Sequence, residues 1–264
     1  MDYCGREDMG LRKGSLKAEL NTSLQTIGSW ITLAHPAIAE IMAKAGFDWL
    51  AVDLEHSVIT IREAEELIRV IDLCGVAPLV RLSANDPVQI KRVMDAGAHG
   101  VIVPMVNSAV QAEQAISAVR FPPQGRRGVG LARAQGYGRR FDEYLNWVSE
   151  EAVVIVQVEH IEAVNNLEAI LAVESVDGFI VGPYDLSGSL GVPGELNHPL
   201  MKEAMERIIS VGAASGKTPG IHVVEPDVEE LKLRIEQGYR FVAYSVDIRM
   251  LDCSCRAVMK TRTV

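Results

Sequence analysis

Glu159 and Asp185 are the carboxylates of this sequence best placed to hold a divalent cation. Asp185 follows the apolar run Phe179-Ile180-Val181 and the break at Gly182-Pro183, where the ladder loses a donor and the chain must turn. It therefore stands just past the end of a buried strand, where α/β folds carry their chemistry. Glu159 closes the run Val153-Val154-Ile155-Val156-Gln157-Val158 and shares one side of it with Gln157 by the period-two rule. Two carboxylates with little but water nearby make a hard-oxygen site suited to Mg²⁺ or Mn²⁺, with Co²⁺ a further candidate, and without a cation they repel each other. Such an ion chelates a 2-oxo acid through its carboxylate and keto oxygens and stabilises an enolate. Arg81, permanently charged and fork-shaped, suits a clamp on that carboxylate or on the enolate oxygen. His56, with Asp53 three positions earlier, offers a general base whose tautomer a carboxylate fixes.

Each residue has a plainer reading. Asp185 caps the next helix, Glu159 pairs with an arginine, Arg81 is a rim salt bridge, and His56 is an ordinary loop residue. Against a Schiff-base mechanism, no lysine occupies a strand end: Lys91, Lys217 and Lys232 fall in helical or surface segments. The metal route is favoured by elimination.

The elements that must position these residues repeat one pattern, a short β-branched run, a polar turn and a longer helical stretch. Strand-like runs cover residues 25–31, 49–52, 78–82, 101–106, 153–158, 178–181, 219–223 and 241–246. Helical patterns cover 36–45, 61–73, 87–96, 109–119, 163–173, 199–214, 228–236 and 248–258. Such alternation requires parallel strands joined by right-handed crossovers, and eight units imply a closed (β/α)₈ TIM barrel. In a barrel, strand ends converge on one face. His35, the Asp53-Leu54-Glu55-His56 run, Arg81, Gln157, Glu159, Asp185, His222 and Asp247 all lie at or just after such ends. The irregular segment 121–140 reads as a binding loop. Its arginines, Arg126, Arg127, Arg133, Arg139 and Arg140, are most simply solvated, with Arg133 the first candidate to reach a distal substrate carboxylate.

The chain has 264 residues, close to the roughly 250 of one such barrel. It reads as a single domain over 1–264, with 1–20 an N-terminal extension and polar helix. Hydrophobic residues make up 48% and aromatics 5%, which suits aliphatic parallel strands under helices. A formal charge of −9 repels nucleic acid and anionic membrane, and no apolar run approaches the ~20 residues of a bilayer span. The N-terminus lacks the apolar stretch of a signal peptide, and Cys4, Cys74, Cys253 and Cys255 follow no paired framework, so a reduced, cytoplasmic setting is expected. Cys253-Ser254-Cys255 lacks partner ligands for a metal.

Several linked motifs then point to one family. The runs Ala45-Gly46-Phe47-Asp48-Trp49-Leu50, Asp53-Leu54-Glu55-His56, Asn85-Asp86-Pro87-Val88-Gln89-Ile90-Lys91, Val103-Pro104-Met105-Val106, Arg127-Gly128-Val129-Gly130 and Gly182-Pro183-Tyr184-Asp185-Leu186-Ser187 resemble the metal-dependent (class II) pyruvate aldolases. That group, within the phosphoenolpyruvate/pyruvate barrel superfamily, includes 4-hydroxy-2-oxoheptanedioate aldolase and 2-keto-3-deoxy-sugar-acid aldolase. The likeness covers about residues 27–251. It implies a carbon–carbon lyase that cleaves or forms 4-hydroxy-2-oxo acids through a pyruvate enolate and an aldehyde. Glu159 and Asp185 would be the metal ligands, Arg81 would bind pyruvate, and His56 backed by Asp53 would move the proton. The backbone N–H groups of Tyr184 and Asp185 would hold the carboxylate, Gln157 would sit beside the metal, Asp95 would act through water, and Trp30 would lie near the substrate. Hexamers built as trimers of dimers that exchange C-terminal helices are also implied. Two features depart from the pattern. Tyr184 stands where alanine is common, and Ala243-Tyr244-Ser245-Val246-Asp247 replaces a smaller segment. The acceptor aldehyde is therefore open, and a citrate-forming Claisen condensation of oxaloacetate with acetyl-CoA is the alternative. A non-catalytic binding protein on the same barrel is a third reading, disfavoured because the metal, clamp and base residues are all present.

Overall fold

The computed structural model describes residues 15–22 and 24–260, so most of the expected N-terminal extension lies outside the described residues. Eight parallel strands close into a barrel in sequence order: β1 (Thr26–Ile31), β2 (Trp49–Asp53), β3 (Ala77–Arg81), β4 (Gly100–Val103), β5 (Val153–Val158), β6 (Gly178–Val181), β7 (Thr218–Val223) and β8 (Phe241–Val246). The strands are nearly uniform apolar runs because side chains on both faces are buried, inward against the barrel axis and outward against helices. Inside, the Trp49 and Phe241 rings stack at 4.1 Å, and Trp30 meets Trp49 edge-on at 6.2 Å. Gly28 is required there, because a Cβ would collide with the Trp49 ring.

Helices α2 (Pro36–Lys44), α3 (Ile61–Leu73), α4 (Pro87–Ala96), α5 (Ala109–Val119), α10 (Pro199–Ser215) and α11 (Val228–Glu236) are the expected crossovers. Their starts are locally encoded. Thr60 and Glu63 form a reciprocal capping box on α3, and Asp86 accepts from the Val88 and Gln89 N–H groups on α4. A short helix, α1 (Leu16–Leu20), stops the base of the barrel. The expected polar helix is thus amphipathic, with Leu16 and Leu20 buried against Trp49, Ala77, Val153 and Phe241. Lys17 pairs with Asp177 at 3.1 Å, and Thr218 donates its hydroxyl proton to the Leu20 carbonyl.

Four elements differ from expectation. Helix α6 (Phe141–Glu151) follows the irregular segment, burying Tyr144 and Val148. The stretch after β5 divides at Asn166 into α7 (Ile161–Asn165) and α8 (Leu167–Leu171). Helix α9 (Pro183–Ser189) starts directly after β6. On β8 the pairing with β1 slips between Gly28 and Trp30, where Ser245 adopts φ 51°, the left-handed region that side chains avoid. The last helix, α12 (Asp247–Met259), buries only Asp247 on this chain and leaves Ile248, Leu251 and Met259 exposed.

Candidate active site

Because alternate residues of each strand face the axis, the last inward positions gather at the carboxyl ends of the strands. Trp30, Asp53, Arg81, Gln157 and His222 are those positions, Glu159 follows directly after β5, and Asp185 lies in the first turn of α9 after β6. Asp53 and Arg81 sit opposite each other in the β2–β3 register. Arg81 Nε lies 2.9 Å from Asp53 Oδ1, and Nη2 lies 2.6 Å from Oδ2. The guanidinium carbon rests 4.3 Å from the centroid of Trp30, a ring that is 1% exposed. Trp30 thus fixes the plane of the arginine fork from below.

Glu159 Oε1 accepts from the Met105 N–H at 2.6 Å, and Oε2 accepts from Gln157 Nε2. Met105 holds φ 53°, so a strained backbone is spent on aiming this N–H. Burial raises the Glu159 pKa above the usual carboxylate range, and the Asp185 charge adds to the rise against the hydrogen bonds from Gln157 and Met105. Gly182 makes room, since a Cβ there would stand 3.1 Å from Glu159 Cβ and Oε2. Asp185 lies in the first turn of α9, whose cap is Gly182, so it is not the capping residue.

Sequence reasoning assigned no role to Glu55. Its Oε2 lies 3.5 Å from Arg81 Nε, 3.4 Å from Gln157 Nε2 and 3.7 Å from His56 Nε2. Burial and the nearby Glu159 charge push its pKa up to about 7, with Arg81 opposing. Past the end of β2 the in-out alternation lapses, so the period-two rule could not single out Glu55. The expected dyad of His56 and Asp53 needs correction for the same reason. Asp53 accepts from the backbone N–H of Glu55 (3.0 Å) and of His56 (3.2 Å), while the His56 ring extends to the rim beside Glu55.

His222 lines the mouth between Trp30 and Ser245, its ring 5.7 Å from the Trp30 ring. Burial, then the Arg81 charge, lowers its pKa to about 4. Tyr184 is 52% exposed beside the mouth.

Other candidates go elsewhere. Asp95, on the last turn of α4, pairs with Arg127 at 2.6 Å at the opposite end of the barrel and does not join the cluster within this chain. Arg127 is not solvated. Its side chain is fully buried, stacked 4.7 Å from Phe121 and bonded to the Tyr144 hydroxyl. Arg133 binds Asp72 at 2.5 Å and the Ala96 carbonyl at 3.1 Å, at a cavity of about 590 Å³ near the base of α3 and α4 rather than at the mouth. His35 and His160 cap α2 and α7, each accepting a backbone N–H on Nδ1. Asp247 pins the loop after β1 through Thr32 and Leu33. Cys253 and Cys255 carry free thiols on α12. No cluster of three or more His, Cys, Asp or Glu arranged for a metal occurs among the described residues.

The donor set nonetheless fits one. Asp53 and Glu55 lie against Arg81, whose charge also reaches Glu159, the Asp185 charge adds to that at Glu159, and Arg81 is already committed to Asp53. Gln157 Oε1 is buried without a hydrogen-bond partner beside them. Surplus negative charge and an orphaned acceptor in a buried pocket are what a hard divalent ion satisfies.

Comparison with known proteins shows what the chain is similar to. The sequence profile of the family described as HpcH/HpaI aldolase/citrate lyase matches residues 26–252. A 4-hydroxy-2-oxo-heptane-1,7-dioate aldolase of Escherichia coli is 41% identical over 249 residues, spanning 93% of this chain and 94% of that protein. The crystal structure of an HpcH/HpaI aldolase/citrate lyase family protein from Burkholderia cenocepacia J2315 superposes with a TM-score of 0.88 at 35% identity, covering 94% of this chain and 99% of the other. The citrate synthase SbnG superposes at 0.83 with 27% identity, covering 94% and 96%.

Proposed function

This chain belongs to the HpcH/HpaI aldolase/citrate lyase family and is an aldolase, a carbon–carbon lyase, and from that premise we propose how the mouth works. The substrate is a 4-hydroxy-2-oxo acid, cleaved to pyruvate and an aldehyde or formed from them. Glu159 and Asp185 would hold a divalent cation, Mg²⁺, Mn²⁺ or Co²⁺, which supplies Lewis acidity to the 2-oxo acid. Arg81, locked by Asp53 and Trp30, orients the 2-oxo acid and stabilises negative charge developing on its keto oxygen. The N–H groups of Tyr184 and Asp185, in the first turn of α9 and without intrahelical acceptors, receive its carboxylate. His56 at the rim takes the proton of the C4 hydroxyl. The C3–C4 bond breaks, its electron pair passes into the enolate, and C4 departs as the aldehyde carbonyl. A proton then returns to C3 to give pyruvate.

The observation that supports this reading is the crowding of Glu55 and Glu159 near one committed guanidinium, with the Asp185 charge reaching Glu159. Exchange of the pyruvate methyl protons with D₂O tests it. Exchange should require added divalent metal and stop with chelator, and exchange that survives chelation rejects the mechanism. Thiol release from acetyl-CoA with oxaloacetate, at rates exceeding aldol turnover, would instead favour the Claisen reading.

The same reading extends to the assembly. The enzyme acts in the cytoplasm as a single-domain protomer of a hexamer, a trimer of dimers that exchange α12. The exposed Ile248, Leu251 and Met259 support an α12 packed on a second protomer. Among the described residues no helix is long and apolar enough to cross a membrane.

A further inference from the structure

Among the described residues His222 is the one strand-borne histidine at the barrel mouth, and the reaction above gives it no work. It sits on β7, inward-facing in register with Ala243 of β8 and edge-on to Trp30. Its Nε2 lies 3.2 Å from the Ser245 carbonyl oxygen, which only accepts, so the proton resides on Nε2 and Nδ1 presents a lone pair. That carbonyl is itself fixed. Ser245 holds φ 51°, donates its hydroxyl proton to the Val224 carbonyl at 3.1 Å, and is braced by Ser29, whose hydroxyl bonds the Tyr244 carbonyl at 2.8 Å. The ring stays neutral at working pH because burial and the Arg81 charge both disfavour protonation, and a bound cation would act in the same direction. Nδ1 has no hydrogen-bond partner among the described residues, in contrast to Nδ1 of His35, His160 and His198, each of which accepts a backbone N–H.

A neutral, tautomer-locked acceptor repels carboxylate and carbonyl oxygens and gains nothing from a methyl group. It binds a donor. We propose that His222 is a specificity-determining residue that accepts a hydrogen bond from a substrate hydroxyl adjacent to the reacting carbons, so that the enzyme prefers hydroxylated substrates to their deoxy counterparts. This rests on the aldolase reading. The hydroxyl belongs either to the aldehyde or to the 2-oxo acid, and paired substrates separate the two.

One arm compares glycolaldehyde with acetaldehyde as acceptors for pyruvate, and the other compares hydroxypyruvate with pyruvate as partners of one aldehyde. In one arm the metal-loaded wild-type enzyme should favour the hydroxylated member by about tenfold or more in kcat/KM, the effect of one hydrogen bond. His222→Leu should collapse that ratio to about twofold or less, and His222→Asn, which keeps an acceptor, should retain part of it. The arm that responds identifies which substrate carries the hydroxyl. Ratios that are flat in both arms, or unchanged in both variants, overturn the proposal while leaving the aldolase intact. Wild-type enzyme that exchanges no pyruvate protons with metal present overturns both readings together.

Discussion

Asp53 and Arg81 occupy paired positions on adjacent strands and close a two-pronged ion pair, with contacts of 2.9 and 2.6 Å, directly above the face of Trp30. Asp53 is 1% exposed and also holds the backbone of Glu55 and His56, so one carboxylate fixes both the arginine and the loop carrying the proposed base. Removing one partner of such a pair strands the other charge. Asp53→Asn should therefore cost about 3 kcal/mol of stability, seen in urea unfolding. Arg81→Lys keeps the charge but loses the fork, and kcat should fall on the order of 10²-fold. An Asp53→Asn protein as stable and active as wild type would contradict this account.

Metal binding should follow the carboxylates. In calorimetric titration with Mn²⁺, Glu159→Gln and Asp185→Asn should each lose detectable binding, and aldol activity should fall roughly 10³-fold, the several kcal/mol a Lewis acid supplies. Heat of binding undiminished in either variant would place the ion elsewhere.

Glu55 sets a pH dependence of known sign. Its folded pKa of about 7 exceeds the ordinary 4.5, so the native protein keeps a proton that the unfolded chain releases. Its contribution is fully present below pH 4.5 and is lost as pH rises through 7. His222, lowered from 6.5 to about 4, has the opposite slope between those values, so the two offset each other in moderately acidic solution. The stability difference between wild type and Glu55→Gln, measured by urea unfolding with chelator present, isolates the carboxyl group. Glu55 has a side-chain exposure of only 15%, so surface screening is slight. The difference should shift against wild type by about 3 kcal/mol from pH 4.5 to 8. Parallel curves would show that Glu55 titrates normally.

Gly182→Ala probes the space behind Glu159. With φ −98° the backbone accepts alanine, and the added methyl carbon meets Glu159 at 3.1 Å. Relief by a few tenths of an ångström moves the carboxylate rather than the barrel. Metal affinity should drop about tenfold, on the order of 1.4 kcal/mol, with the melting temperature little changed. A variant that melts early without losing affinity would mean that the strand had moved instead.

Deleting residues 249–264 removes most of α12 while sparing Asp247, which anchors the loop after β1. Sedimentation should then report a species smaller than the proposed hexamer. An unchanged sedimentation coefficient would remove α12 from the interface.

Much of the barrel was legible because parallel strands demand continuous apolar runs, and glycine or proline punctuates them. Gly97 (φ 104°) and Gly216 (φ 68°) end α4 and α10 in the left-handed conformation that glycine adopts most easily. Helix α6 was missed although Phe141, Tyr144, Leu145 and Val148 carry the helical period, because the glycine- and arginine-rich segment before it dominated the reading. Site residues within strands, such as Arg81 and Gln157, could be oriented by alternation. Residues just past strand ends could not, which is why Glu55 went unassigned and its approach to the His56 ring was not foreseen. Long-range pairing was equally invisible: nothing local joins Arg127 to Asp95 or Arg133 to Asp72.

Helix α1 seals the floor of the barrel with Leu16 and Leu20 and is tied there by Lys17. The proposed site opens at the other end of the barrel, where Arg81 and His222 lie. A linker, affinity tag or solid support joined upstream of residue 15 starts from the sealed side, so immobilised enzyme should keep its catalytic opening turned toward solution.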